Sequence, residues 1–269
     1  MKPVKPFTSL KSATAWLVRL FSALTLVAGG VVLFAGTAQA ATICGNVPVP
    51  PGYVITSESL TGSCTGGYLT ETIQPPSNGL AICLNGPVPS GYAVTSIYST
   101  NSCSQYQTGR INTVANGMRI CGNSNGSLPA DYVITSEGPD STCSQWYGET
   151  VNIASNGIAV CGNSPIPANY VITSSYQNAA CGIYLGARIN TASDGMTFCG
   201  NSPIPSNYVI TANFQVGSCG QYLGGRLNVA YNGIIACADS PTPPGYWVSA
   251  TGIQSAACGP YQAERLNNA

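Results

Sequence analysis

Residues 160–197 read VCGNSPIPANYVITSSYQNAACGIYLGARINTASDGMT, and almost everything after residue 40 is a variation on this stretch. Its order is hydrophobe-Cys-Gly-Asn, Pro-x-Pro, Tyr-Val-Ile-Thr-Ser, a variable loop, Cys, Tyr, Arg-Ile-Asn and a closing Asp-Gly. Copies begin near Ile43, Ile82, Ile120, Val160, Phe198 and Ala236, which divides the chain into six repeats: 43–81, 82–119, 120–159, 160–197, 198–235 and 236–269. A fixed period of about 38 residues is the signature of a tandem architecture, in which each unit buries its apolar side against its neighbours.

The local signals inside a repeat are all β. Asn-Gly or Asp-Gly recurs at Asn78-Gly79, Asn116-Gly117, Asn156-Gly157, Asp194-Gly195 and Asn232-Gly233, each time between short apolar runs. Such pairs tolerate positive φ at both central positions of a type I′ turn, so each predicts the tip of a β-hairpin. The Pro-x-Pro segment lacks ladder N–H groups and predicts a crossing, not a central strand. Tyr-Val-Ile-Thr alternates, with Tyr170 and Ile172 on one face and Val171 and Thr173 on the other. About three strands per repeat and no helix follow. The expected fold is all-β: six tandem disulfide-stapled repeats, arranged as an open array or as a closed, propeller-like ring.

Twelve cysteines fall two to a repeat: Cys44 and Cys64, Cys83 and Cys103, Cys121 and Cys143, Cys161 and Cys181, Cys199 and Cys219, Cys237 and Cys258. An even count at regular spacing reads as a disulfide framework. Zinc is the rival, but there is no C-x-x-C pair and no histidine, so no metal site is expected. Pairing within each repeat leaves nothing over and makes every repeat self-contained. Pairing each second cysteine with the first of the next repeat leaves Cys44 and Cys258 as terminal partners.

The first forty residues are of another kind. Lys2, Lys5, Lys11 and Arg19 precede the apolar run from Leu20 to Phe34, followed by Thr37-Ala38-Gln39-Ala40. A basic region, a short apolar core and an Ala-x-Ala site predict a secretory signal over 1–40, a domain over 41–269 and an extracellular or cell-surface location. The apolar run is short for a membrane span.

All three lysines lie in that segment. Beyond it stand five arginines against nine carboxylates, a net charge of −4 with no Lys and no His. So sparse a charge cannot supply the basic face that nucleic acid requires, and it removes the repulsion that keeps copies apart. Without histidine, Ser–His–Asp and Cys–His catalysis are excluded. Paired carboxylates could in principle hydrolyse glycosides, but Glu58, Glu71, Asp131, Glu137, Asp140, Glu149, Asp194, Asp239 and Glu264 are read as recurring at no common site. Neither an enzyme nor a cofactor is expected.

Two tyrosines recur in each repeat, at 53, 92, 132, 170, 208 and 246, and at 68, 106, 147, 184, 222 and 261. Regular recurrence predicts core packing for both sets. The irregular aromatics Trp146, Tyr98, Tyr176, Tyr231, Phe214 and Trp247 are the candidates for exposed contacts. Arg110, Arg188, Arg226 and Arg265 share one position, read as a charge that protects a strand edge. At the ends, Ala41-Thr42-Ile43 is read as the second half of a hairpin and Arg265-Leu266-Asn267 as a first half. Both are expected to carry unpaired ladder groups. The function this implies is a secreted structural protein that joins head to tail by strand complementation into a filament, sheath or matrix, with copies of itself as partners. The alternative is a multivalent, lectin-like protein with surface polysaccharide as its partner.

Overall fold

The computed structural model describes residues 40–60, 64–122, 128–144 and 147–269. The expected signal, apart from its last residue, lies outside these ranges, as does Trp146. Among the described residues no helix is long and apolar enough to cross a membrane.

The chain forms a series of three-stranded antiparallel sheets, one per repeat. Repeat one holds β1 (Ala41–Cys44), β2 (Val54–Ser59) and β3 (Thr70–Gln74). Repeat two holds β4 (Leu80–Cys83), β5 (Tyr92–Tyr98) and β6 (Thr108–Thr113), and repeat three β7 (Met118–Cys121), β8 (Tyr132–Pro139) and β9 (Tyr147–Ile153). Repeat four holds β10 (Ala159–Cys161), β11 (Tyr170–Gln177) and β12 (Leu185–Thr191). Repeat five holds β13 (Thr197–Cys199), β14 (Tyr208–Gln215) and β15 (Leu223–Val229), and repeat six β16 (Ile234–Cys237), β17 (Tyr246–Ile253) and β18 (Ala263–Asn268). In every sheet the third strand lies in the middle, the first on one side and the second on the other. Pro-x-Pro therefore carries the chain from one sheet edge to the other, as its missing N–H groups require.

The six disulfides close within repeats, for example Cys161–Cys181 with a Cα–Cα distance of 5.2 Å and Cys199–Cys219 with 5.3 Å. No described cysteine is free.

The hairpin expectation at Asn-Gly is wrong. The strand before each such pair is the central strand of one sheet, and the strand after it opens the next sheet. The turn at Asn156-Gly157 is closed by Ile158 N donating to Ser155 O at 3.1 Å. Gly157 has φ +77°, but Asn156 is not among the residues with positive φ. A type I′ turn needs positive φ at both central positions, whereas type II needs it only at the second, where glycine sits. The turn thus passes the chain between layers and is bound by the following repeat. Thr191 N donates to Asn156 Oδ1 at 2.6 Å, and Gly157 N donates to Ile189 O at 2.8 Å.

The same topology corrects the reading of the chain ends. β1 pairs with β3, and β18 lies between β16 and β17, so both segments are paired inside their own sheets. Arg110, Arg188, Arg226 and Arg265 sit on central strands, so they guard no edge. Arg110 and Arg188 instead donate to the turn carbonyls of Gly79 and Gly157 at 3.2 and 2.8 Å.

Each second strand is bulged two residues after the Tyr53-type tyrosine, as between Ile172 and Ser174, and β17 is shifted again between Ala250 and Ile253. The bulged Thr173 takes a hydrogen bond from Asn190 Nδ2 at 2.7 Å, which explains why Thr and Asn recur together across the sheet. Before the bulge, alternation sends Val171 and Ile172 to opposite faces, yet both are buried. Ile172 packs in the core of its own repeat, and Val171 packs in the core of the following one.

Candidate interaction surfaces

The core of each internal repeat is built by three repeats. Around repeat four, Val160, Ile172, Ala187 and Ile189 come from its own sheet, Val133 from the repeat before, and Cys199 and Cys219 from the repeat after. Repeats two, three and five follow the same plan, with Val54, Ala93 and Val171 entering from upstream and the next disulfide closing the far side. The disulfide thus staples its own repeat and roofs its neighbour's core.

Hydrogen bonds fix the register of these junctions. The outward amides of Ile134, Ile172 and Ile210 donate to Oγ of Ser164, Ser202 and Ser240 in the following repeat, at 2.8, 2.8 and 2.9 Å. Beside them, Asn85 donates to Glu58 at 2.6 Å, Asn163 to Glu137 at 2.8 Å, and Asn213 to Asp239 at 3.1 Å. Tyr170, Tyr208 and Tyr246 reach back and donate to the connector carbonyls of Ala154, Ala192 and Ala230 at 3.1, 2.9 and 2.9 Å. This first set of tyrosines packs as expected. Five of the second set do not: Tyr68, Tyr106, Tyr147, Tyr184 and Tyr261 are exposed, whereas Tyr222 is half-buried and packs on the core of repeat four. Of the irregular aromatics that are described, Tyr231, Phe214 and Trp247 are exposed, and Tyr98 and Tyr176 are half-buried.

The carboxylates also differ from the expectation that they share no site. Glu71, Glu149 and Glu264 occupy one position, each paired in register with the residue before the first cysteine, Ile43, Ile120 and Ala236. Each directly precedes the position held elsewhere by Arg110, Arg188 and Arg226, so the recurrence is present in the linear sequence and was overlooked there. Two of the three face a second glutamate across the sheet, Glu58 opposite Glu71 and Glu137 opposite Glu149. In repeat one both members of the pair are buried. Burial, and next the charge of Glu58, raises the Glu71 carboxyl above its ordinary range; burial, and next Glu137, does the same to Glu149. Asp140 moves the other way, to about 2, because Thr142 and then Arg119 hydrogen-bond its carboxylate.

A glutamate that titrates higher in the folded chain than in the unfolded one holds its proton better when folded. Its contribution is favourable in acid and declines as pH rises from the ordinary glutamate value through the raised one. Glu149→Gln removes that ionisation. The variant should melt above wild type at pH 7 and together with it at pH 4, as followed by thermal unfolding. A variant that melts below wild type at pH 7 refutes the burial of a charge there.

Among the described residues no group of three or more His, Cys, Asp or Glu is placed to hold a metal. A depression lies where repeats four and five meet and is lined by Ile183, Tyr184, Asn201 and Tyr222.

The expected assembly residues stand at the two ends of the series. Ala41 and Thr42 are exposed and Ile43 is partly buried, all on β1, an edge strand. Arg265 is exposed, Leu266 is in the core of repeat six and Asn267 is half-buried, all on the central strand of the last sheet. What the sequence reading missed is the outer edge of β17. Trp247, in the place held upstream by buried valine or alanine, is half exposed. Comparison with protein-family models, with curated proteins and with solved structures found no match.

Proposed function

We propose that this chain is a secreted structural protein whose copies join head to tail into an extracellular filament, sheath or matrix. The observation that carries the reading is the open series. One junction is used between every pair of neighbouring repeats, yet Trp247 at one end and Cys44–Cys64 at the other remain uncovered. A contact of this head-to-tail type extends without limit unless its rotation closes a ring. The near absence of charge fits a surface that meets copies of itself, and the disulfide framework fits an oxidising compartment. The paired ends remove completion of a split hairpin as the joining step, so the joining is assigned to faces and strand edges.

The purified protein is expected to form unbranched polymers in negative-stain microscopy, with a sedimentation coefficient that rises with concentration. Discrete monomers at every concentration overturn the reading. The exposed second tyrosines favour one other reading, a multivalent binder of surface polysaccharide, since aromatic faces exposed in five of the six repeats can stack on sugar rings. In that case monomers should bind a polysaccharide with an affinity that falls as Tyr106, Tyr147 and Tyr184 are changed to alanine.

A further inference from the structure

Each internal junction has two halves. The upstream half is the outer edge of a second strand. The residue after its tyrosine is Val54, Ala93, Val133, Val171 or Val209, each at most 3 % exposed because the following repeat covers it. The downstream half is a first strand with its disulfide, and the ten cysteines of repeats two to six are at most 1 % exposed because the preceding repeat covers them. In repeat six the upstream half is bare: Trp247 is 50 % exposed. In repeat one the downstream half is bare: Cys44, Cys64 and Ile43 are partly exposed, whereas Ile82, Ile120, Val160, Phe198 and Ala236 are buried.

We infer that the contact between copies is one further use of this junction, in which the β17 edge and Trp247 of one copy dock on the Cys44–Cys64 face of a second copy. The inference rests on the head-to-tail reading above and names its surfaces.

Side-chain size at the two faces is matched. Inside the series, the second residue after the tyrosine of the second strand meets the residue three places after the first cysteine. There Ile55 meets Gly86, where an added Cβ would stand 3.0 Å from Ile55 Cδ1. Ile134, Ile172 and Ile210 meet serines. Across the proposed contact the large partner changes sides, with the smaller Val248 on β17 and Val47, 42 % exposed, on the head. Thr251 lies five residues after Tyr246, as Ser175 does after Tyr170, and Asn46 two after Cys44, as Asn201 does after Cys199, although β17 carries a second register shift between Ala250 and Ile253.

Trp247 donates its indole N–H to Asn268 O at 3.0 Å, which leaves the rest of the ring uncovered at the tail. The indole is too large for the hole a valine fills, so it covers Ile43 and Val49, which pack on the core of repeat one from its open side. A bare tryptophan of this kind is the residue type that carries most of the affinity at protein interfaces. One junction is a single strand edge wide, so the contact belongs to the small, concentration-dependent class.

The test uses two variants, Trp247→Glu at the tail and Val47→Arg at the head, with thermal unfolding to establish that each is folded. Either substitution alone should raise the concentration needed for polymers at least about tenfold. An equal mixture should give heterodimers and nothing longer in sedimentation velocity, because each partner keeps one usable face. If a variant fails to fold, Thr251→Arg replaces it at the tail and Asn46→Arg at the head. Polymers from either variant at the wild-type concentration, or a mixture that stays monomeric, overturn this assignment of surfaces while leaving the filament reading in place. A wild-type chain that never polymerises overturns both.

Discussion

Replacing Cys199 and Cys219 together by alanine is expected to destabilise repeat four as well as repeat five. The bridge closes a loop with a sequence separation of 20, and its loss should cost about 3 kcal/mol through the freedom returned to the unfolded chain. That part belongs to repeat five. The second part arises because both sulfurs are fully buried in the cluster around Val160, Ile172 and Ile189. Removing them opens a void in the neighbour's core, at a further cost of about 1–2 kcal/mol. Amide hydrogen exchange should therefore show lost protection in β11 and β12 as well as in β14 and β15. The control is Cys44→Ala with Cys64→Ala, where the bridge roofs no preceding core among the described residues and the damage should stay in repeat one. Exchange confined to repeat five in the first variant would falsify the shared-core account.

Val171→Asp should cut the series in two. Val171 belongs to β11 but is buried among Phe198, Ile210 and Leu227 of repeat five. A carboxylate there has no charged partner, and an uncompensated buried charge costs about 3–5 kcal/mol. The chain can avoid that cost only by parting the junction. Stability in such arrays is close to a sum of unit terms and nearest-neighbour terms, so losing one neighbour term should uncouple repeats one to four from repeats five and six. Calorimetry is expected to show one transition in wild type and two in the variant, the lower belonging to the shorter block. A single transition within a degree or two of wild type argues that the junction carries little of the stability.

Periodicity made the architecture legible because both its markers, the cysteine pairs and the Tyr-Val-Ile-Thr run, depend on local spacing. The crossing role of Pro-x-Pro follows from chemistry that acts inside one repeat, whereas cysteine spacing left two pairing schemes open and the folded chain decided for bridges within repeats. The candidate surface was less legible. Trp247 could be singled out as an irregular aromatic, but its meaning depends on what Val54, Val133, Val171 and Val209 do in the neighbouring repeat, and no local pattern records that.

The sequence by itself determined the β class and the six units with two cysteines each, and it left two disulfide pairing schemes open. Tertiary structure alone decided the order of strands in each sheet. Asn156-Gly157 fits either a hairpin tip or a passage between layers, and the choice turned on φ at Asn156 and on hydrogen bonds from Thr191 and Ile189 in the next repeat. Once the third strand took the middle of the sheet, the ends were paired, Arg188 left the edge, and Glu58 came opposite Glu71. These are contacts between residues distant in sequence, set by how whole sheets stack, whereas the sequence pattern reports only what each residue prefers among its immediate neighbours.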